Sequence, residues 1–208
     1  MIAPVTGKQN LWPAALFVLA LALTRLLVGV VPPGFSPLYA MAFCGAVFFG
    51  GALAWWIPLG TLFATDILLN LFFYERPAFG WFMLINYLAF AVIILLGRRF
   101  KPGDSWLKLL GGGLLGAVLF YLITNSASWL TNPVYAKTLA GWWQALTTGE
   151  PGHPPTWMFF KNTLLSGGLF TGLFAGAMKF TEAREPQDEP AEEPEPEPAG
   201  AETEQAKP

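Results

Sequence analysis

Residues 54–73 read AWWIPLGTLFATDILLNLFF. This stretch is long enough to cross the hydrocarbon core of a bilayer, which takes roughly 20 apolar residues in a helix. Its polar members Asp66 and Asn70 are four residues apart and therefore share one helix face. Ionisable side chains inside membrane spans are costly and usually functional. The stretch therefore predicts a transmembrane helix that carries part of a polar site.

The composition places the whole chain in the same class. Hydrophobic residues make up 54% of the 208 residues and charged residues only 12%, whereas soluble domains average about 25% charged residues. A chain of this length suits a single bundle of about six spans. We therefore predict an all-α, polytopic membrane protein with a six-helix transmembrane bundle.

Six apolar stretches are separated by charged or turn-forming segments. A signal peptide is the alternative interpretation of the first stretch, but its apolar run is too long, which favours a retained span. A short turn near Gly50 and Gly51 joins the second and third spans. Residues 139–146, with tandem tryptophans, predict a short amphipathic helix at the membrane interface. The predicted spans cover residues 11–31, 37–53, 54–73, 79–96, 107–130 and 157–178.

Basic residues in the short loops orient this bundle, because cytoplasmic loops are enriched in lysine and arginine. With both termini inside, seven basic residues fall on the cytoplasmic side and only Arg76 and Lys137 fall outside. We therefore expect a multi-pass membrane protein with both termini cytoplasmic. Residues 1–10 are the predicted cytoplasmic N-terminus, and residues 11–180 are the transmembrane domain.

Residues 181–208 differ sharply from the rest of the chain. They hold ten acidic residues against Arg184 and Lys207, a net charge of −8, so the preceding 180 residues sum to +6. Six prolines and the lack of aromatic residues predict a disordered acidic tail, because it cannot bury enough apolar surface to offset the entropy of ordering. A solubilising extension is the simpler interpretation, and a docking tail is the alternative.

Isolated polar residues on the predicted spans lie at similar depth, between the midplane and the outer surface. A rise of about 1.5 Å per residue gives these depths. Five helices would then send polar groups into one outward compartment with more positive than negative charge. The predicted substrate-binding residues are Arg25, Asp66, Asn70, Asn86, Asn125, Trp129, Lys161 and Asn162.

The residue types favour solute binding over other chemistry. The excess cation, from Arg25 or Lys161, would meet a carboxylate or phosphate. The asparagines would supply hydrogen bonds, and Trp129 or Trp157 a stacking face. The simpler interpretation is a structural salt bridge to Asp66. The single Cys44 and single His153 provide no metal site, and we predict no catalytic residues, no cofactor and no nucleic-acid partner.

Several runs of sequence resemble a known group of transporters. These are residues 35–37, 59–66, 125–129 and 159–165, the last reading FFKNTLL. They are similar to an uncharacterised bacterial family of predicted transport proteins, which resembles the S component of energy-coupling factor transporters. The resemblance implies a six-helix fold, embedded in the lipid bilayer of a bacterial inner membrane, that captures a vitamin-like solute. It also implies an energising partner module of ATPases with a transmembrane scaffold subunit.

Three functional classes remain at this point. A substrate-binding subunit for uptake is the leading class. Residues 111–116 lack the ending of a phosphate-binding loop, so this chain is not expected to hydrolyse ATP itself. It would therefore work alone or with partner ATPases. A structural or assembly membrane protein, whose polar residues serve helix packing, is the alternative. An intramembrane enzyme is the least favoured, because Ser166 does not share a helix face with Lys161 and the spans carry no histidine.

Overall fold

The computed structural model describes residues 19, 23–25, 30–75 and 77–182. Within these residues the structure contains helices and no strands. Residue 19 and residues 23–25, which belong to the predicted first span, are helical, and the rest of that stretch up to residue 29 lies outside the described residues. Six further helices follow: α1 Leu38–Phe48, α2 Leu53–Phe72, α3 Trp81–Gly97, α4 Trp106–Thr131, α5 Leu139–Leu146 and α6 Thr156–Glu182.

Helix α1 is the centre of the fold. All 11 of its residues are buried, and it packs against α2, α3, α4 and α6. The core is built around it, with Phe43 of α1, Ile93 of α3 and Leu109 of α4 fully enclosed. Its apolar sequence therefore contacts protein on every side, and α1 is a short helix held inside the bundle.

The predicted second span, residues 37–53, is too long. Helix α1 ends at Phe48 because Phe49 is extended and the chain then turns through Gly50 and Gly51. Gly51 has a φ of +59°, a left-handed conformation that favours glycine. The predicted turn is thus confirmed. The 11 residues of α1 extend only about 16 Å, about half of a hydrocarbon core of about 30 Å.

Two of the helices, α2 and α4, are long enough and apolar enough to cross a membrane, with 20 and 26 residues. Helices α1 and α3 are also apolar but shorter. The observed bounds of α2, α3 and α4 agree with the predicted third, fourth and fifth spans to within two residues. Helix α6 begins one residue before the predicted sixth span and continues to Glu182. The helical class is confirmed, and the six-span bundle remains a prediction.

Close helix contacts hold the layers together. On α3, a Cβ atom at Gly97 would lie 2.6 Å from the carbonyl oxygen of Phe43, so only glycine allows α1 to approach this closely. On α4, Gly116 faces Ile93 of α3, where a Cβ would lie 3.2 Å from the isoleucine Cγ2. The small residues of these helices therefore serve internal packing.

Helix α5 confirms the short helix predicted over residues 139–146. The Thr138 hydroxyl caps its first turn by accepting the Gly141 N–H at 3.2 Å. The Trp142 indole donates to the Ser126 hydroxyl of α4 at 2.8 Å, whereas Trp143 is exposed. One tryptophan of the tandem pair therefore anchors α5 to the bundle, and the other is available to a surrounding medium.

Candidate functional site

Asp66 of α2 forms the centre of the site. Its Oδ1 accepts a hydrogen bond from Nη2 of Arg25. The Tyr87 hydroxyl of α3 donates to Oδ2 over 3.5 Å. The side chains of Arg25 and Asp66 are only 20% and 10% exposed. This ion pair therefore joins the residues before α1 to α2, in a largely buried setting where charges need partners.

The second terminal nitrogen of Arg25 has no such partner. Its Nη1 is buried and makes no hydrogen bond to any part of the chain that the structure describes. A guanidinium presents five N–H donors in a rigid planar arrangement, and a buried donor without an acceptor costs roughly 1–3 kcal/mol. Arg25 can therefore both hold Asp66 and donate to an acceptor from outside the chain.

A cavity of about 530 Å³ lies beside this ion pair. Its wall includes Thr24 and Arg25, the segment from residue 31 to residue 39, and side chains of α2, α3 and α4. Such a volume falls within the range of roughly 300–1,000 Å³ that small-molecule sites occupy. Four of the eight predicted binding residues line this cavity: Arg25, Asp66, Asn70 and Asn86.

The two asparagines of the cavity differ in their contacts. Asn70 uses its amide nitrogen to bind the Ala78 carbonyl oxygen at 3.3 Å, which ties the end of α2 to the loop before α3. Asn86 of α3 is half-buried, and its side-chain amide makes no hydrogen bond to the described residues. Asn86 is therefore the polar group of the wall whose donor and acceptor remain available to a ligand.

One wall of the cavity is the non-helical segment that leads into α1. Asn162 of α6 donates to the Pro33 carbonyl oxygen at 2.8 Å, and the hydroxyls of Thr163 and Tyr39 each lie 3.4 Å from the Gly34 carbonyl oxygen. Gly34 has a φ of +80°, and a Cβ there would lie 3.0 Å from the Phe159 carbonyl oxygen. Helix α6 thus supplies hydrogen-bond donors to the carbonyl oxygens of this irregular segment.

The first turn of α1 also borders the cavity, through residues 36–39. The first four N–H groups of a helix lack intrahelical acceptors and carry partial positive charge. Here the Leu38 N–H donates to the Ser36 hydroxyl at 3.3 Å. Another part of the cavity wall is aromatic: the rings of Tyr39, Phe90 and Phe120 pack together with centroids 4.8–6.0 Å apart. The cavity therefore combines hydrogen-bond donors with an aromatic floor.

Tyr39, Thr163 and Tyr87, and the backbone of residues 32–34, are not among the predicted binding residues. Nothing in the spacing of Tyr39 and Thr163 indicates that they meet at the same carbonyl. The run Pro32, Pro33, Gly34 was an available signal, since prolines and glycine within an apolar region mark irregular backbone. The same residues also follow directly on the predicted first span, residues 11–31.

The other four predicted binding residues lie outside the cavity wall. Asn162 does not line the cavity but holds its wall in place, by donating to the Pro33 carbonyl oxygen. Asn125 donates to the Tyr121 carbonyl oxygen of its own helix at 2.8 Å, and the Trp129 indole donates to the Ala136 carbonyl oxygen at 2.8 Å. Lys161 is exposed. Four of the eight predicted binding residues therefore line one cavity, and the other four do not.

This placement changes the charge of the site. The expected excess of positive charge required Arg25 and Lys161 to face the same space as Asp66. Lys161 does not line the cavity, and Arg25 pairs with Asp66. The charged side chains of the described wall therefore balance, and the donors in excess are Arg25 Nη1, the Asn86 amide and the first turn of α1.

Comparison with known proteins gives a family and no function. No curated protein and no solved structure matches the chain. A family model does match, over residues 6–189, which includes all six described helices up to Glu182. The chain therefore belongs to DUF6580, a family of unknown function.

Proposed function

We propose that the protein is a membrane-embedded substrate-binding subunit that captures a small solute for uptake. The cavity of about 530 Å³ beside the Arg25–Asp66 pair carries this proposal. A cavity of this size, bounded by a buried ion pair, the Asn86 amide and a helix N-terminus, has the composition of a ligand site.

The proposed solute is small and rich in hydrogen-bond acceptors. Among the described residues, Arg25 Nη1 and the Asn86 amide have no hydrogen-bond partner. The first turn of α1, which also borders the cavity, is the positive end of that helix's dipole. Carbonyl or carboxylate oxygens would satisfy these donors. The aromatic floor of Tyr39, Phe90 and Phe120 suits a flat, vitamin-like ring. Because Lys161 lies outside the wall, a net negative charge on the solute is compatible with the site but is not required.

A bilayer is the proposed surrounding of this bundle. Helices α2 and α4 have the length and hydropathy of spans, and large apolar side chains cover the outside of the fold. Trp56, Phe72 and Leu107 are 74%, 79% and 72% exposed. Soluble monomers rarely expose apolar side chains in contiguous patches. The distribution of basic residues adds the orientation, with both termini on the cytoplasmic side of the inner membrane.

Uptake would draw its energy from other components. The proposed arrangement is that of an S component, in which partner ATPases and a transmembrane scaffold subunit energise a substrate-binding bundle. A subunit that works alone is the second arrangement. The sequence resemblance supports the first, and both use the same cavity.

A structural or assembly role is the second candidate function, and specific contacts favour it. Arg25 with Asp66, Asn70 with Ala78 and Asn162 with Pro33 each join separate parts of the fold. These polar groups would then serve packing alone. Asn86 separates the two candidates, because it lines the cavity and makes no hydrogen bond to the described residues.

The test compares two matched Asn→Leu variants in lipid nanodiscs. Native mass spectrometry of the purified wild type is expected to detect a bound small molecule. Asn86→Leu should reduce its occupancy by about tenfold, because a lost hydrogen bond to a buried ligand costs roughly 1–3 kcal/mol. Asn125→Leu is the control, since Asn125 is half-buried on α4 and donates to its own helix outside the cavity wall.

Two results would contradict the proposal. One is a wild-type protein that carries no small molecule, neither after purification nor after incubation with cell extract. The other is equal occupancy in Asn86→Leu and Asn125→Leu, which would place the ligand elsewhere and leave packing as the role of the polar residues.

A further inference from the structure

One end of the bundle is strongly basic. Arg98, Arg99 and Lys101 lie in the turn between α3 and α4, Lys108 lies in the first turns of α4, and Lys179 lies near the end of α6. The first four are exposed and Lys179 is half-buried. We call these five residues the basic end. Among the residues whose side chains the structure describes, Asp104 is the one carboxylate there, which leaves a formal charge of +4.

Local contacts leave this charge largely uncompensated. Asp104 accepts the Lys108 ammonium at 2.8 Å and the backbone N–H of Lys101 at 3.0 Å. The Lys108 ammonium also lies 5.7 Å from the centroid of the Phe100 ring. Arg98 and Arg99 form no ion pair with the described residues. Two adjacent guanidinium groups, each able to bind a carboxylate through two parallel hydrogen bonds, are therefore available.

The last described helix ends beside this surface. The Lys179 ammonium donates to the Pro102 carbonyl oxygen at 3.3 Å, so the last turn of α6 lies against the α3–α4 turn. Helix α6 ends three residues later, at Glu182. Residues 183–208 then carry nine acidic residues against Arg184 and Lys207, a formal charge of −7. Segments tethered this close reach effective concentrations in the millimolar range.

We infer that residues 183–208 bind the basic end of their own chain, through carboxylate contacts with Arg98, Arg99 and Lys101. The two formal charges are opposite in sign, +4 and −7, and the tether makes the interaction intramolecular. Anionic lipid headgroups are the competing occupant of a basic surface at a membrane. Bound acidic residues would keep these headgroups away from the α3–α4 turn. The inference is independent of the proposed solute site.

Zero-length cross-linking of the full chain in zwitterionic nanodiscs tests this contact. A carbodiimide joins a carboxylate to a lysine amine with loss of water, and mass spectrometry identifies the joined peptides. We expect isopeptide bonds from residues 185–204 to Lys101 and Lys108. Their yield should fall roughly fivefold or more at 1 M salt, where the Debye length is about 3 Å. Lys161 is the internal control, because it lies about 27 Å along α6 from Lys179.

A pair of matched variants shows whether charge at the turn is responsible. Arg98→Gln with Arg99→Gln should reduce cross-links to Lys101 and Lys108 several-fold, whereas Arg98→Lys with Arg99→Lys should retain them. Equal yields in both variants, or equal yields at Lys161, would overturn the inference. So would loss of the cross-links when anionic lipid replaces part of the zwitterionic lipid, because that result assigns the basic end to headgroups.

Discussion

Removing one partner of the Arg25–Asp66 pair should destabilise the fold more than removing both. In Asp66→Leu, the Arg25 guanidinium would stay in a site where its side chain is only 20% exposed, without its carboxylate. Breaking a buried pair from one side costs about 3–5 kcal/mol, whereas replacing both members by apolar residues is often neutral. We therefore expect Asp66→Leu to be severely destabilised and Arg25→Met with Asp66→Leu to recover most of the loss.

Thermal unfolding in nanodiscs measures this difference. For a chain of this size, 1 kcal/mol corresponds to about 2–4 °C in Tm, so Asp66→Leu should unfold about 6–20 °C below the wild type. The double variant should return to within about 5 °C of the wild type, because no unpaired charge remains. A double variant as unstable as Asp66→Leu, or a single variant with an unchanged Tm, would refute this reasoning.

The same double variant also bears on function. If the pair serves only helix packing, restored stability should be accompanied by wild-type behaviour in every respect. If the pair is part of a solute site, the double variant should fold but lose the small molecule seen by native mass spectrometry, because Arg25 Nη1 is then absent. A folded double variant with undiminished occupancy would exclude Arg25 from the site.

Three further predictions concern single positions. Lys161→Met should retain solute binding, measured by the same mass spectrometry, because Lys161 is exposed and lies outside the cavity wall; a tenfold loss would return it to the site. Gly34→Ala should lower the free energy of unfolding by about 1–3 kcal/mol and weaken binding, because its φ of +80° and the contact of a Cβ with α6 oppose a side chain. The control Gly60→Ala, with no atom within 4 Å of the added Cβ, should be neutral or stabilising in the same unfolding assay. The hydrogen bond from Lys108, followed by that from the Lys101 backbone, lowers the pKa of Asp104 below its usual value. Its contribution to stability is therefore present above the unfolded pKa of about 3.9 and disappears as pH falls through the lower folded value. Asp104→Asn should accordingly lower Tm slightly at pH 7 and not at pH 2; an equal loss at both values would contradict the ionic contribution.

Helix positions were predictable because apolar length and turn residues are local properties. The observed α2, α3 and α4 begin and end within two residues of the predicted spans, and α5 covers the predicted residues 139–146. The misjudged element is α1. A run without polar residues is equally compatible with lipid and with protein around it. Its sequence therefore did not show that all 11 residues of α1 are buried in the bundle, nor that the helix ends at Phe48.

Only four of the eight predicted binding residues line the cavity, for a related reason. Counting residues along a span estimates depth, but successive side chains on a helix point about 100° apart, and their partners belong to other helices. Lys161 and Asn162 are neighbours in sequence, yet Lys161 is exposed while Asn162 reaches the Pro33 carbonyl. The Asn125 amide donates to a backbone carbonyl of its own helix. The estimated depth along each span therefore placed the eight residues together, whereas the direction of each side chain decides which of them line the cavity.

The amino-acid sequence by itself determined that this chain is helical, strongly apolar and marked by a few costly polar groups, because those properties follow from composition and periodicity. Only the tertiary structure decided that Arg25 pairs with Asp66, that Asn86 is left uncommitted and that residues 32–34 form a cavity wall. These features depend on contacts between segments up to 129 residues apart, as between Asn162 and Pro33. Such contacts arise when the helices pack around α1, and they leave no signature in the spacing of any single helix.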